Sequence, residues 1–370
     1  STLSSSSAAS DVYKRQENRE GKFFDWEDYL FRTGVFQTND LSLSGGTETT
    51  KYYSSLSYTK DKGRAIINEY DRISGRINLS QKVFNNVEYN VNLNVASTGK
   101  TGFNDTRSTG SNYFFQARNL LFPFYWPTDY KTGNPWTAQY GSLAYNSDYY
   151  NKEWDNNTNT LKLGAVQSLS WEIIPNLTAK TIFSFDNTEV KDDLFYSALH
   201  FNGLTDKGSS SKWATNIRKY VSSNTLTYAK SFGLHNLNIL GGFEAEKNKT
   251  DYQYSNSINL GSSALTSIGT GANFKADSYT WGNNLMSYLS RIDYNYNEKY
   301  FAGASTRRDG SSRLSPENRW GTFWSVSGAW SLHKEEFLKN NETISSLRLR
   351  GSYGVNGTLP INDFAWRTLM

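Results

Sequence analysis

Side chains able to do chemistry at an active site are few and scattered in this chain of 370 residues. The histidines His200, His235 and His333 stand far apart, and none has the short spacing of a metal-ligand pair. Cysteine is absent, which removes disulfides, thiolate ligands and cysteine nucleophiles. The acidic neighbours Asp192-Asp193 and Glu335-Glu336 read as solvated loop charges, since a glycosidase needs carboxylates on either side of a scissile bond. Asp309-Gly310 reads as a turn near a hairpin tip. No phosphate loop, nucleophile elbow or dinucleotide fingerprint occurs in a strand–turn–helix setting. Catalysis, a bound metal and a cofactor are therefore not expected.

Aromatic rings are what the sequence has in quantity: 25 Tyr, 21 Phe and 11 Trp, 15% of residues, at a mean hydropathy of −0.66. They are densest between Tyr113 and Trp136, where Phe122, Phe124, Tyr125, Trp126, Tyr130 and Trp136 are the candidates for facing substrate or a partner. Pro123, Pro127 and Pro135 would hold these rings in place, and flat rings stack well on sugars and on other proteins. The competing expectation is that they pack this loop onto itself. Tyr140, Tyr145, Tyr149, Tyr150 and Trp154 extend the run.

The elements that must position these groups are strands. From Leu41 onward apolar and polar residues alternate with period two, as in Val87-Glu88-Tyr89-Asn90-Val91-Asn92-Leu93-Asn94-Val95. Successive strand side chains point to opposite faces, so each segment has one apolar and one polar face. The pattern predicts about twelve strands, most longer than the ~5–6 residues usual in soluble sheets and suited to the ~9–11 that cross a bilayer. Short helical turns are expected near Phe24–Phe31 and Glu335–Lys339.

Connections alternate between short and long, the long ones expected over 101–159, 191–212 and 251–280, with His333–Thr343 a longer connection on the short side. Outer-membrane barrels segregate turns and loops in this way; a soluble sandwich has no reason to. Tyr and Trp sit near strand ends on the apolar faces, as interfacial girdles do. Arg72, Arg76, Arg291 and Arg348 fall on the polar faces and are candidates for the lumen. A net charge of +4 does not favour nucleic acid, and no apolar run approaches the ~18 residues of a membrane helix. A transmembrane barrel and a soluble or surface-attached β-rich carbohydrate-binding protein both remain open on these grounds.

Residues 1–16 are Ser/Ala-rich without alternation and are expected to be a non-native or disordered lead, leaving 17–370 as a partial barrel.

The ordered motifs favour the barrel, with the carbohydrate-binding protein kept as the alternative. Asp25-Trp26-Glu27-Asp28-Tyr29-Leu30-Phe31-Arg32-Thr33-Gly34 is followed by Leu41-Ser42-Leu43-Ser44-Gly45-Gly46 and Lys51-Tyr52-Tyr53-Ser54-Ser55-Leu56-Ser57-Tyr58. Ser74-Gly75-Arg76-Ile77-Asn78-Leu79, Arg307-Arg308-Asp309-Gly310-Ser311-Ser312-Arg313 and Leu347-Arg348-Leu349-Arg350-Gly351-Ser352-Tyr353-Gly354 come later. This series resembles the SusC/RagA-like TonB-linked outer-membrane transporters. The resemblance implies an all-β, antiparallel up-and-down barrel, here about 12 strands of a family barrel of about 22, without the plug. It implies a fragment of an active importer of oligosaccharides or peptides, working with a SusD-like surface lipoprotein and with TonB acting through the missing plug. Outer-membrane lipid would surround it.

Overall fold

The computed structural model describes residues 22–102, 115–129, 131–140, 144–338 and 343–367. The expected lead sequence, Tyr113, Phe114 and Tyr130 lie outside these residues. A short helix α1 (Trp26–Leu30) precedes twelve strands. These are β1 (Val35–Gly46), β2 (Thr50–Lys62), β3 (Glu69–Phe84), β4 (Val87–Thr101), β5 (Trp154–Ile174) and β6 (Leu177–Tyr196). They continue as β7 (Ser209–Phe232), β8 (His235–Ile258), β9 (Asn273–Tyr296), β10 (Tyr300–Ser311), β11 (Trp320–Ser331) and β12 (Arg348–Val355). A second short helix, α2 (Ser147–Tyr150), lies between β4 and β5. All strands join one sheet in sequence order, each antiparallel to the next.

Register assembles the alternating patterns into two continuous faces. Leu41, Leu56, Gly75, Val95 and Leu163 are level across β1–β5. Ile292, Ala304, Val326 and Tyr353 are level across β9–β12. One residue along, Arg291 and Ser305 face the other way with Ser325, and the two serine hydroxyls are 2.7 Å apart. Among the described residues no second sheet covers the apolar face: Leu41 is 72% exposed and Tyr353 67%. Apolar residues left bare across a whole sheet need an apolar solvent, and a bilayer supplies one.

The short connections lie at one end and use left-handed backbone: Asn176 (φ 72°), Gly233 (φ 59°), and both Asn297 (φ 50°) and Glu298 (φ 52°). Two consecutive positive φ values make a primed turn, whose twist matches that of its strands. The Lys299 N–H closes it on the Tyr296 carbonyl at 2.9 Å. The long connections lie at the opposite, outer end. There β7, β8 and β9 reach 24 residues each, well beyond the ~9–11 that span a bilayer. The connections expected over 191–212 and 251–280 are correspondingly shorter, running only 197–208 and 259–272. Beyond the membrane both faces are polar, so alternation fades while backbone pairing continues.

Three local readings are corrected. Asp309 and Gly310 lie inside β10, paired with Gly321 and Trp320, not in a turn. Glycine is needed there because a Cβ would stand 2.9 Å from the Trp320 ring. Asp192 and Asp193 lie inside β6, where Asp192 accepts from Thr158 Oγ1 (2.5 Å) and Asp193 pairs with Lys212 (2.7 Å). Glu335 is no free loop charge either. It accepts from Tyr300 Oη (2.5 Å), Trp330 Nε1 (3.0 Å) and Lys299 Nζ (3.4 Å), which together hold its carboxyl below the usual range. A turn does stand where one was expected near Glu335–Lys339, the Leu338 N–H bonding the Glu335 carbonyl at 2.9 Å, directly after a 3-10 turn at Leu332–Lys334.

Candidate functional site at the outer rim

The hydrophobic core of the described residues sits at the outer rim, not within the sheet. Asp25 caps α1 by accepting from the Asp28 N–H at 3.0 Å, and Trp26 and Leu30 project from it into the core. There they meet Ala65 from the β2–β3 loop and Leu121, Tyr125, Tyr140 and Ala144 from the β4–β5 loop. Trp26 is 2% exposed and its Nε1 donates to the Tyr125 carbonyl at 2.9 Å. A backbone bond from the Phe24 N–H to the Pro123 carbonyl (2.8 Å) and a bridge between Phe31 and Ala65 tie the segments together.

The candidate rings divide within this cluster. Tyr125 is buried, stacked on Tyr140 at 4.6 Å, and Trp136 also stacks on Tyr140, at 5.9 Å. Trp126 is half-buried, its ring 5.4 Å from Phe24 and its carbonyl accepting from Tyr140 Oη. Phe124 is half-buried against Tyr125 at 4.7 Å. Among the described candidates Phe122 alone is well exposed, at 49%, stacked on Phe124 at 5.4 Å. Most of these rings therefore fold the loop onto itself and onto α1, and Phe122 is the one that shows a face.

Next to this core a second cluster gathers around His200, in the β6–β7 loop. The His200 ring is 3% exposed and lies 4.7 Å from Tyr196, 4.2 Å from Phe201 and 5.3 Å from Tyr150. Its Nδ1 accepts from the Asn202 N–H at 3.0 Å, which fixes that nitrogen as unprotonated. Burial pushes the imidazole down to about 3.

The four arginines all lie on the polar face, in different settings. Arg72 and Arg76 are exposed and carry no partner among the described residues. Arg291 forks onto Asp293 of its own strand, at 2.6 and 3.0 Å. Arg348 lies 4.0 Å over the Phe301 ring. The structure does not bring the four together. It builds instead around Arg307, which sequence reasoning did not single out. Its Nη1 donates to Glu244 (2.8 Å), its Nε to Asp309 (2.7 Å) and its Nη2 to Ser287 (2.8 Å), bridging β8, β9 and β10.

Above this network, on the same face, stands a ladder of rings that was also missed. Trp213 on β7 stacks on Tyr254 of β8 at 5.3 Å, Tyr252 of β8 stacks on Tyr279 of β9 at 4.8 Å, and Trp281 follows at 5.9 Å. Tyr279 is 50% exposed. Their common face could have been found by counting register outward from the short turns. Among the described residues no group of His, Asp and Glu is placed to hold a metal.

No protein-family model matches the sequence. Curated relatives do. "TonB-dependent receptor P3" of Formosa agariphila is 27% identical over 347 residues, covering 92% of this chain and 34% of that protein. "TonB-dependent receptor SusC" of Bacteroides thetaiotaomicron is 26% identical over 373 residues, covering 93% of this chain and 36% of that protein. The chain thus spans about a third of the length of these relatives. Among solved structures, the RagAB peptide importer in its closed-closed state shares the fold with a TM-score of 0.79 at 24% identity, over 92% of this chain and 39% of that one. The ferric citrate transporter FecA matches more loosely, with a TM-score of 0.51 at 6% identity over 81% of this chain and 40% of that one. These relatives are receptors and transporters, not enzymes, and they do not favour a soluble carbohydrate-binding protein. The motif order, the bare apolar face, the segregated loops and these relatives together support a SusC/RagA-like chain, similar to a segment of the outer-membrane β-barrel of TonB-dependent receptors.

Proposed function

We propose that the chain forms part of the wall of an active importer of oligosaccharides or peptides, within a longer receptor whose plug answers to TonB and whose mouth is covered by a SusD-like surface lipoprotein. The observation that carries this reading is the aromatic ladder of Trp213, Tyr254, Tyr252, Tyr279 and Trp281. It stands on the polar face, at the end where the long connections lie. The polar face is read as the lumen wall, with Arg72, Arg76, Arg291 and Arg348 toward its solute or plug. Rings that present edges and hydroxyls beside the polar groups of such a wall contact sugars and peptide backbones in passage without holding them tightly. Phe122, at the rim, is read as a contact for the lipoprotein. The name of one solved relative, a peptide importer, supports the peptide. Residues 17–370 are read as one partial barrel domain behind a lead of 1–16.

The test is uptake by cells carrying the complete receptor. Labelled oligosaccharide or peptide should accumulate only with an energised TonB system, and the receptor should co-purify with a lipoprotein. Accumulation unchanged by loss of TonB would overturn the reading.

A further inference from the structure

The apolar face is not uniform. Where β10 and β11 end and β7–β9 run on outward, it holds a hollow of about 570 Å³. One level row across the sheet explains it: Phe183, Ser222, Ala245, Met286, Gly310 and Trp320. The order is large, small, small, large, small, large. Ser222 and Ala245 therefore form a floor between Phe183 and Met286, and Trp320 lies over Gly310, where there is no Cβ to lift it. Tyr220 closes the next level outward, beside Lys247.

Two cations border this apolar hollow, Lys247 and Arg319. Lys247 is exposed and has no ion-pair partner among the described residues. The Arg319 Nε is buried and has no hydrogen-bond partner. The acid nearest in sequence, Glu246, projects to the opposite face and pairs with Lys219 at 3.0 Å. One level further out, Arg218 and Lys249 already share Asp251. An apolar trough that faces lipid, with two unpaired cations at its outer end, is complementary to an acyl chain below a negative head group.

We propose that this hollow is a binding site for an acyl lipid of the outer leaflet whose phosphate head group is net negative, its chain over Ser222 and Ala245 between Phe183 and Met286, and its phosphate against Lys247 and Arg319. The site rests on the barrel reading, because it needs the apolar face in contact with lipid.

The experiment uses the complete receptor, purified in detergent from the outer membrane of a Gram-negative host. Native mass spectrometry follows retention of phosphatidylglycerol and of phosphatidylcholine with the same chains, and inorganic phosphate is added alone as a competitor. The wild type should retain phosphatidylglycerol about tenfold better than phosphatidylcholine. The double variant Lys247→Gln, Arg319→Gln should lose that preference, and Ala245→Phe, which fills the floor and leaves both cations, should lower retention of either lipid. Equal retention of the two lipids by the wild type, an unchanged preference in the double variant, or displacement of the lipid by millimolar phosphate would overturn the proposal. Failure of the barrel reading is separate and visible, because the receptor would then be absent from the outer-membrane fraction at the outset.

Discussion

Aromatic rings occur in this chain in two settings that answer to different physics. Around α1 they are packed and anchored to backbone: Trp26 donates to the Tyr125 carbonyl, Tyr140 to that of Trp126, and Tyr150 to that of Thr137 at 3.0 Å. Along β7–β9 they stand up from the polar face in cross-strand pairs, with Tyr279 and Trp281 exposed at 50% and 39%. The first set builds the rim. The second is surface. An aromatic-rich stretch of sequence is thus no guide to binding until its rings are placed, and here the densest stretch is mainly structural.

The widest gap between the two settings is in stability. Trp26→Ala removes a fully buried ring and a hydrogen bond, and should cost the rim about 3–5 kcal/mol. Hydrogen exchange should then rise over 22–31 and 115–129 while the strands stay protected. The same truncation at Tyr279 should leave exchange unchanged and lower uptake. Equal losses at both sites would erase the distinction.

Acidity should also act on the rim and not on the ladder. His200 is held neutral by burial, at about 3, against about 6.5 in the unfolded chain. The unfolded state therefore binds its proton first. The stabilisation is complete above about 6.5 and is lost as pH falls from there toward 3. Fluorescence of Trp154, 6.4 Å from His200, should report loosening in that window, and a His200→Phe variant should be flat through it.

Much of the fold is legible in the sequence because one face of every spanning strand must be apolar. Alternation then locates the strands, and short turns fix their register. It fails where both faces meet water, which is why the outer extensions of β6–β9 read as loops. Asp309-Gly310 misled because that pair is a strong turn signal, while here glycine serves the Trp320 ring. The ladder and the Arg307 network were invisible for another reason. Trp213 and Tyr254, or Arg307 and Glu244, are distant in sequence, and only the register brings them side by side.

Charge on the polar face offers a finer contrast. Arg307 bridges three strands with its side chain 39% exposed, whereas Arg291 pairs within its own strand at 63%. Arg307→Met should cost about 1–2 kcal/mol and Arg291→Met about 0.5 or less, both by denaturant unfolding in detergent. The smallest effect belongs to Phe122→Ala: about 0.5 kcal/mol or less in stability, with a weakened hold on the surface lipoprotein.

The assignment of faces is tested most directly along β9. The chain has no cysteine, so in a complete receptor freed of any cysteine elsewhere, single cysteines at successive positions from 286 to 293 can each carry a nitroxide label in lipid bilayers. Spin relaxation by oxygen, which partitions into lipid, should be high at Met286, Tyr288, Ser290 and Ile292. A water-soluble relaxant should instead reach Ser287, Leu289, Arg291 and Asp293. Relaxation without a period of two, or water access on both faces, would contradict a lipid-facing wall.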